Sequence, residues 1–230
     1  MIIQNLTTTH PFRRIEKDGA LLPSGGLGAV LSPAGVGKTA FVVQVAIDAM
    51  IREEYVLHVS LGDSIDKITL WYAELFQNLA RHHDLEQSDD AWRNILLRRF
   101  IMTFKIAAFS IPVLEERIAD LVGQNIFKPS ILIIDGLNFD EDQSPRAREL
   151  KDLAASRKLS IWVTGNVHRE DTRDPDGIPS PFVSSAPFFD AILELEPGDS
   201  GIAVTTLRGF AGGTDDTRLR LDPATMLIQA

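Results

Sequence analysis

The chain has 230 residues, of which 44% are hydrophobic, and its 23 basic and 32 acidic side chains give a net charge of −9. This length and composition are typical of one α/β domain with a large core, and we assign residues 1–230 to a single domain. The chain has no cysteine, which excludes disulfides, thiolate zinc sites and a cysteine nucleophile. The acidic balance argues against a broad nucleic-acid-binding face, because phosphate backbones are bound by clustered cations.

Residues 1–23 form a segment that leads into the domain. Its start has neither the basic stretch nor the long apolar run of a signal peptide. No stretch of the sequence approaches the ~18 uninterrupted apolar residues of a membrane span. We therefore expect a cytoplasmic protein without a membrane-spanning helix.

The most informative stretch is Ser32–Thr39, which reads Ser-Pro-Ala-Gly-Val-Gly-Lys-Thr. A short apolar strand, 27–31, precedes it, and an apolar helix predicted to run to about Glu53 follows it. Strand, glycine loop and helix in this order are the context of a phosphate-binding P-loop. The two glycines allow a tight turn in which successive amides form an anion nest at the positive end of the helix. The residues predicted to bind a nucleotide there are Ala34, Gly35, Val36, Gly37, Lys38, Thr39 and Ala40.

Lys38 and Thr39 carry the two side chains that a bound nucleotide needs. The Lys38 ammonium is expected to reach the β- and γ-phosphates, and the Thr39 hydroxyl to bind Mg²⁺. The usual motif begins with glycine, whereas this chain has Ser32 followed by Pro33. Because Gly-x-Gly-Lys-Thr is intact, we expect the replacement to be tolerated. The alternative is a glycine turn that binds nothing.

Beyond the loop, apolar runs alternate with helical patterns. Strands are predicted at 55–61, 100–104, 131–135 and 160–166. Helices are predicted at 65–79, 91–99, from 111 onward and at 146–157. Asp63 or Ser64 is expected to cap the first of these helices, and Ser110 the third. Residues 81–90 are predicted as a charged surface turn and 168–187 as a long polar loop.

The C-terminal part of the chain changes character. Residues 191–195, 202–207 and 217–221 are predicted as strands of an antiparallel meander with short Gly/Asp turns. Alternating strands and helices followed by hairpins predict an α/β fold, in which a mostly parallel sheet carries a C-terminal antiparallel extension.

Asp135 ends the apolar run Ile131–Ile134, which is typical of a central strand covered on both faces. In P-loop enzymes a carboxylate at the end of such a strand reaches the Mg²⁺ shell, usually through water. Asp135 is therefore predicted to bind the metal together with Thr39. The alternative is an aspartate that caps the strand end, with Gly136 turning the chain.

Together these motifs resemble those of the RecA-like ATPases, in particular the KaiC-like and DnaB-type helicase branches. The resemblance covers about residues 20–229 and rests on four pieces: Ser32–Thr39, Val56–Ser64, Ile131–Asp135, and Thr205–Gly209 with the hairpin after it. It implies a three-layer α/β sandwich in which another strand separates the two motif strands. It also implies ATP bound with Mg²⁺ at the subunit boundaries of a homo-oligomeric ring, such as a hexamer, or of a filament.

The resemblance implies roles for further residues. Asp63 stands close to the position of the catalytic carboxylate, normally a glutamate, and would orient the attacking water. Arg208 would reach the γ-phosphate of a neighbouring subunit, although Thr206 replaces the lysine that often precedes this arginine. Thr164 and Asn166 resemble a γ-phosphate sensor. The plainer alternatives are a helix cap for Asp63, a solvated arginine for Arg208 and strand-end polar groups for the other two.

The resemblance implies that the polar loop 168–187 is a mobile loop that faces a central channel, as in RecA-like proteins. His168, Arg169 and Arg173 would there contact nucleic acid or a partner protein, but acidic neighbours favour a solvated loop. The pair His82-His83 has no convincing third ligand for a metal.

Three hypotheses follow for the function. The favoured one is an ATPase or ATP-dependent switch whose hydrolysis is slow because of the departures at Asp63 and Thr206. The second is a non-hydrolysing nucleotide-binding regulator or scaffold. The third is a P-loop phosphotransferase with 168–187 as an arginine lid, against which the terminal hairpins argue. A DNA-translocating motor is a weaker form of the first, given the acidic charge.

Overall fold

The computed structural model describes residues 10–16, 19–85, 88–139, 142–198, 201–209 and 219–229. The predicted N-terminal segment 1–23 therefore falls partly outside the described residues, as do residues 217 and 218 of the last predicted strand. The described strands are β1 (Leu27–Ser32), β2 (Val56–Ser60), β3 (Arg99–Thr103), β4 (Ile131–Leu137), β5 (Ser160–Asn166), β6 (Ala191–Gly198), β7 (Gly201–Arg208), β8 (Leu219–Leu221) and β9 (Ile228–Gln229). The described α-helices are α1 (Lys38–Ile51), α2 (Ile65–His82), α3 (Ser88–Leu96), α4 (Ile111–Gly123), α5 (Ser144–Arg157) and α6 (Ser180–Val183), and 3₁₀ turns lie at Pro11–Arg14, Ile106–Ala108 and Ala186–Phe188.

These strands form one nine-stranded sheet in the order β3-β2-β4-β5-β1-β6-β7-β8-β9. Neighbours from β3 to β6 pair in parallel, and neighbours from β6 to β9 pair antiparallel. This confirms a mostly parallel sheet with a C-terminal antiparallel extension. The expected strand between the two motif strands is β5, which separates β1 from β4. The predicted meander is confirmed, because β6 and β8 each pair antiparallel with β7, and β6 joins the meander to the parallel sheet by pairing in parallel with β1.

Helices cover both faces of the sheet. On one face α1, α2 and α3 bury an apolar cluster that includes Phe41 and Ile68, and on the other α4 and α5 bury a cluster that includes Leu114 and Leu150. Consecutive residues of the run Ile131–Ile134 alternate between these clusters, so the run is apolar throughout because both of its faces are covered. Among the described helices, none combines the length and apolar character needed to cross a membrane.

Serine side chains cap two of the helices. At the start of α2, Ser64 Oγ accepts a hydrogen bond from the Lys67 amide at 3.3 Å, and at the start of α4, Ser110 Oγ accepts one from the Val113 amide at 3.4 Å. Each cap supplies an acceptor for an amide that has none within its helix. Both serine caps are confirmed, and Asp63 is not the cap of α2.

Two segments predicted as surface turn or loop contain helices. Helix α3 begins at Ser88, inside the predicted turn 81–90, and α6 lies inside the predicted loop 168–187. Ile178 and Phe182 of that loop are buried. The prolines and charges of the segment led to the prediction of a polar loop. Its second half instead packs on the core through these apolar side chains.

Candidate nucleotide-binding site

The loop between β1 and α1 adopts a conformation that needs both of its glycines. Gly35 has φ +77° and Gly37 has φ +117°, the left-handed region that other residues rarely adopt. A Cβ on Gly37 would also lie 2.7 Å from Leu221 Cδ2 in β8. The C-terminal hairpin therefore packs directly against the loop, and a side chain at position 37 would have to displace the end of Leu221 in addition to adopting the left-handed φ.

The amides of this loop are its main chemical feature. Among the described residues, the backbone N–H groups of residues 34, 35 and 37 to 40 donate no hydrogen bond, whereas residues 34 and 35 form a hydrogen-bonded turn that the Val36 amide closes. The first satisfied amide of the helix is that of Phe41, which donates to the Gly37 carbonyl at 2.9 Å. A row of free donors at a helix N-terminus, next to two left-handed glycines, is an arrangement that binds anions.

Lys38 lies over the beginning of the loop. Its Nζ donates to the Ser32 carbonyl at 3.0 Å, to Ser32 Oγ at 3.1 Å and to the Pro33 carbonyl at 3.0 Å. Burial lowers the pKa of Lys38 to about 8, and the nearby Asp135 carboxylate opposes this shift. The ammonium is thus held at the loop by uncharged oxygen atoms.

Asp135 joins the loop to the two neighbouring strand ends. Its Oδ2 accepts a hydrogen bond from Thr39 Oγ1 at 2.8 Å, and its Oδ1 accepts one from Thr164 Oγ1 at 2.5 Å. The Thr164 hydroxyl in turn accepts from the Gly136 amide at 2.8 Å. Thr164 is fully buried, so it orients the carboxylate from behind the site. The structure thus brings together the two residues predicted to bind a metal, Thr39 and Asp135.

The oxygen atoms at this point suit a hard divalent cation. Mg²⁺ is usually held by one or two protein oxygens together with substrate phosphates, rather than by a cage of protein ligands. A hydroxyl and a buried carboxylate beside free amides match that pattern. Within the described residues, no group of three or more His, Asp or Glu side chains offers an alternative metal site.

Asp63 lies at the same edge of the sheet, just beyond the end of β2. Its backbone is fixed by Ser60, whose hydroxyl accepts from the Asp63 amide and donates to the Asp63 carbonyl, both at 3.0 Å. Its carboxylate accepts a hydrogen bond from Lys67 Nζ at 2.7 Å. The predicted catalytic carboxylate therefore lies at the edge of the sheet that carries the loop, with β4 and β5 between them, and it is paired with an exposed lysine one helical turn away.

Of the remaining predicted residues, Asn166 lies beside the loop and Arg208 does not. Asn166 is exposed at the end of β5 and pairs in register with Ser32. Arg208 pairs with Ile192, near the start of β6, and its Nη1 donates to the Ala186 carbonyl at 2.6 Å. Since β6 starts opposite Gly28, Arg208 lies about 13 Å along the strands from the loop of its own chain.

Arg173, expected in a solvated loop or in contact with a partner, is exposed but forms an ion pair with the buried Glu194. Its Nη1 and Nη2 donate to the two carboxylate oxygens of Glu194 at 2.7 and 2.8 Å. Glu194 is almost fully buried, and it lies in β6 opposite Leu31 of β1. A bidentate pair of this kind fixes the orientation of the Arg173 guanidinium and offsets its charge. His168 and Arg169 are exposed.

Sequence reasoning missed Gln44, a buried side chain that ties α1 to the C-terminal hairpin. Its Nε2 donates to the Met226 carbonyl at 2.7 Å and to the Ala40 carbonyl at 3.1 Å, and its Oε1 accepts from the Ile228 amide at 2.8 Å. The available signal was a single amide side chain within an otherwise apolar helix.

A second buried polar group lies under the site in β2. His58 is fully buried, and its Nδ1 lies 3.0 Å from the Tyr72 hydroxyl. Burial lowers the pKa of His58 to about 4, against the opposing effect of Asp135. This histidine is therefore neutral at physiological pH.

No protein-family model and no curated protein sequence matches the chain. A functional assignment consequently rests on the motifs and on the geometry given above.

Proposed function

We propose that this chain is a RecA-like P-loop ATPase or ATP-dependent switch that binds ATP in the loop Ser32–Thr39. The observation that carries the proposal is the group of amides of residues 34, 35 and 37 to 40, which donate no hydrogen bond among the described residues, next to the Lys38 ammonium. Several donors converging on one concave loop suit an anion with many oxygen atoms, and a triphosphate is such an anion.

Thr39 and Asp135 would hold Mg²⁺ beside the phosphates, and Thr164 would keep the Asp135 carboxylate oriented. The ion would supply charge neutralisation at the β- and γ-phosphate oxygens. Asn166, exposed at the neighbouring strand end, would sense the terminal phosphate. These assignments follow from the hydroxyl and carboxylate contacts at one edge of the sheet.

Hydrolysis would require a second set of residues. Asp63 would orient the attacking water once its carboxylate leaves Lys67. Arg208 would act on the site of a neighbouring subunit, which is consistent with its distance from the loop of its own chain. This arrangement calls for a homo-oligomer, such as a hexameric ring in the cytoplasm, with nucleotide at each subunit boundary.

The Asp63–Lys67 ion pair favours one alternative, a regulator or scaffold that binds ATP without hydrolysing it. An aspartate that stays paired with lysine orients no water. The phosphotransferase alternative loses support, because Arg173 of the supposed arginine lid is paired with Glu194. The same pair and the net charge of −9 disfavour a DNA-binding role.

Single-turnover experiments with radiolabelled Mg·ATP and excess protein test the proposal, because they measure retained nucleotide and released phosphate together. We expect retention by the wild-type chain and slow phosphate release that Asp63→Ala abolishes. Asp66→Ala, an exposed carboxylate in the same helical turn as Lys67, is the matched control and should release phosphate at the wild-type rate. Retention of nucleotide without release of phosphate would identify a non-hydrolysing regulator. No retention of nucleotide would contradict both the ATPase and the regulator.

A further inference from the structure

The residue that departs from the P-loop motif, Ser32, contacts the residue that defines the motif. Ser32 is fully buried, and its Oγ donates to the Pro33 carbonyl at 2.7 Å while it accepts a hydrogen bond from Lys38 Nζ at 3.1 Å. A glycine, the usual residue at this position, has no atom that can make the second contact. The contact is therefore a feature of this chain and not of the motif in general.

The contact with Ser32 occupies one of the three donors of the Lys38 ammonium. A lysine ammonium has three N–H donors, and in this structure they are directed at the Ser32 carbonyl, the Ser32 hydroxyl and the Pro33 carbonyl. A phosphate oxygen that binds Lys38 must therefore replace one of these acceptors. The Ser32 hydroxyl is the acceptor that a glycine would lack. Its O–H group donates a hydrogen bond to the Pro33 carbonyl and can keep that bond when phosphate binds.

We infer that Ser32 is a positioning residue that acts through Lys38 and lowers the affinity of the site for a triphosphate, because its hydroxyl competes with the phosphate for one ammonium proton. The inference rests on the proposed function, since it concerns the same loop. It predicts that Ser32 raises the ATP concentration at which the site is half-saturated. Glycine at this position should therefore give a higher affinity for ATP.

The test measures Mg·ATP binding by calorimetry for the wild type, Ser32→Gly and Ser32→Ala, with thermal unfolding to show that each variant is folded. We expect both variants to bind about three- to tenfold more tightly, the effect of releasing one hydrogen bond. Ser185→Ala is the matched control, because Ser185 is also fully buried but lies away from the loop. It should bind as the wild type does.

A second readout isolates Lys38 without nucleotide. The rate at which a small acylating reagent modifies Lys38, measured by mass spectrometry against the exposed Lys67 in the same molecule, should rise in both Ser32 variants and stay unchanged in Ser185→Ala. A Ser32 that only stabilised the fold would lower the unfolding temperature of both variants without tightening ATP binding. Unchanged or weaker ATP binding in the Ser32 variants, or an unchanged ratio, overturns the inference while the proposed function stands. Absence of ATP binding in the wild type overturns both.

Discussion

At the scale of single residues, Thr164 is the side chain that connects the two sides of the site. Its hydroxyl donates to Asp135 and accepts from the Gly136 amide, so one atom fixes both the carboxylate and the turn after it. A metal-binding carboxylate held in one orientation loses less freedom when it binds its ion. Thr164 should therefore strengthen the proposed binding of Mg²⁺ by Asp135, although it lies behind the site.

Thr164→Val replaces this hydroxyl with a methyl group of similar size. The Gly136 amide then lacks its acceptor, and we expect a loss of about 1–3 kcal/mol in the free energy of unfolding. We also expect ATP binding to lose most of its dependence on Mg²⁺. Calorimetry with and without EDTA measures this, and Thr164→Ser, which keeps the hydroxyl, should retain the dependence. Equal Mg²⁺ dependence in both variants would exclude the positioning role.

Lys38 should make the proposed nucleotide binding depend on pH. The ammonium form binds phosphate, and burial lowers the pKa of the free site to about 8. Above that pH the lysine must take up a proton to bind, so affinity should fall by about tenfold per pH unit, whereas below it affinity should be nearly constant. Calorimetry at several pH values, in buffers of different ionisation enthalpy, measures both the affinity and the proton uptake. Constant affinity between about pH 7 and pH 9 would contradict this account.

At the scale of elements, the loop is supported by the C-terminal hairpin. Leu221 of β8 packs on Gly37, and Gln44 of α1 bonds to Met226 and Ile228 around β9. The glycine loop, its helix and the strand before it were all predictable from local sequence. This support was not, because it joins residues about 180 positions apart and β9 is too short to give a pattern.

Gln44→Leu tests the contact between α1 and the hairpin. The substitution keeps the size of the side chain but leaves the Ile228 amide and the Met226 carbonyl without partners. We expect a loss of about 2–4 kcal/mol in the free energy of unfolding, measured by urea titration. The control is Asn78→Ala, which removes one partly buried hydrogen bond from α2 to the Thr225 carbonyl and one exposed hydrogen bond from Arg81, and should cost less than half as much. Equal losses of unfolding free energy in the two variants would show that the Gln44 hydrogen bonds do not stabilise the hairpin more than the Asn78 contact does.

At the scale of the whole molecule, the sheet order decides which residues meet. Because β5 lies between β1 and β4, the carboxyl ends of these strands bring the loop, Asp135 and Thr164 to one edge, and Arg208 falls at the opposite edge. Sequence motifs predicted the first three, since each ends an apolar run. Strand-end patterns could not predict that Asp63 pairs with Lys67 or that Arg173 pairs with Glu194, because side-chain partners depend on tertiary packing.

Two buried histidines should make the stability of the whole chain sensitive to acid. Burial lowers the pKa of His10 to about 3 and that of His58 to about 4, both from 6.5. The unfolded chain therefore binds more protons, so this stability is fully present above about pH 6.5 and is lost as the pH falls toward 4. Each histidine contributes a slope of about 1.4 kcal/mol per pH unit. Urea unfolding of His58→Gln at several pH values should show a free energy of unfolding that depends less steeply on pH, by about 1.4 kcal/mol per pH unit. An unchanged dependence on pH would contradict a buried, neutral His58.

The central claim is that the loop Ser32–Thr39 binds a nucleoside triphosphate through its amides and Lys38. Titration calorimetry with Mg·ATP tests it most directly, on the wild type and on Lys38→Ala, with circular dichroism to verify that the variant is folded. We predict saturable one-site binding by the wild type and loss of that binding in the variant. No heat of binding with the wild type, or equal binding by a folded Lys38→Ala, would contradict the claim.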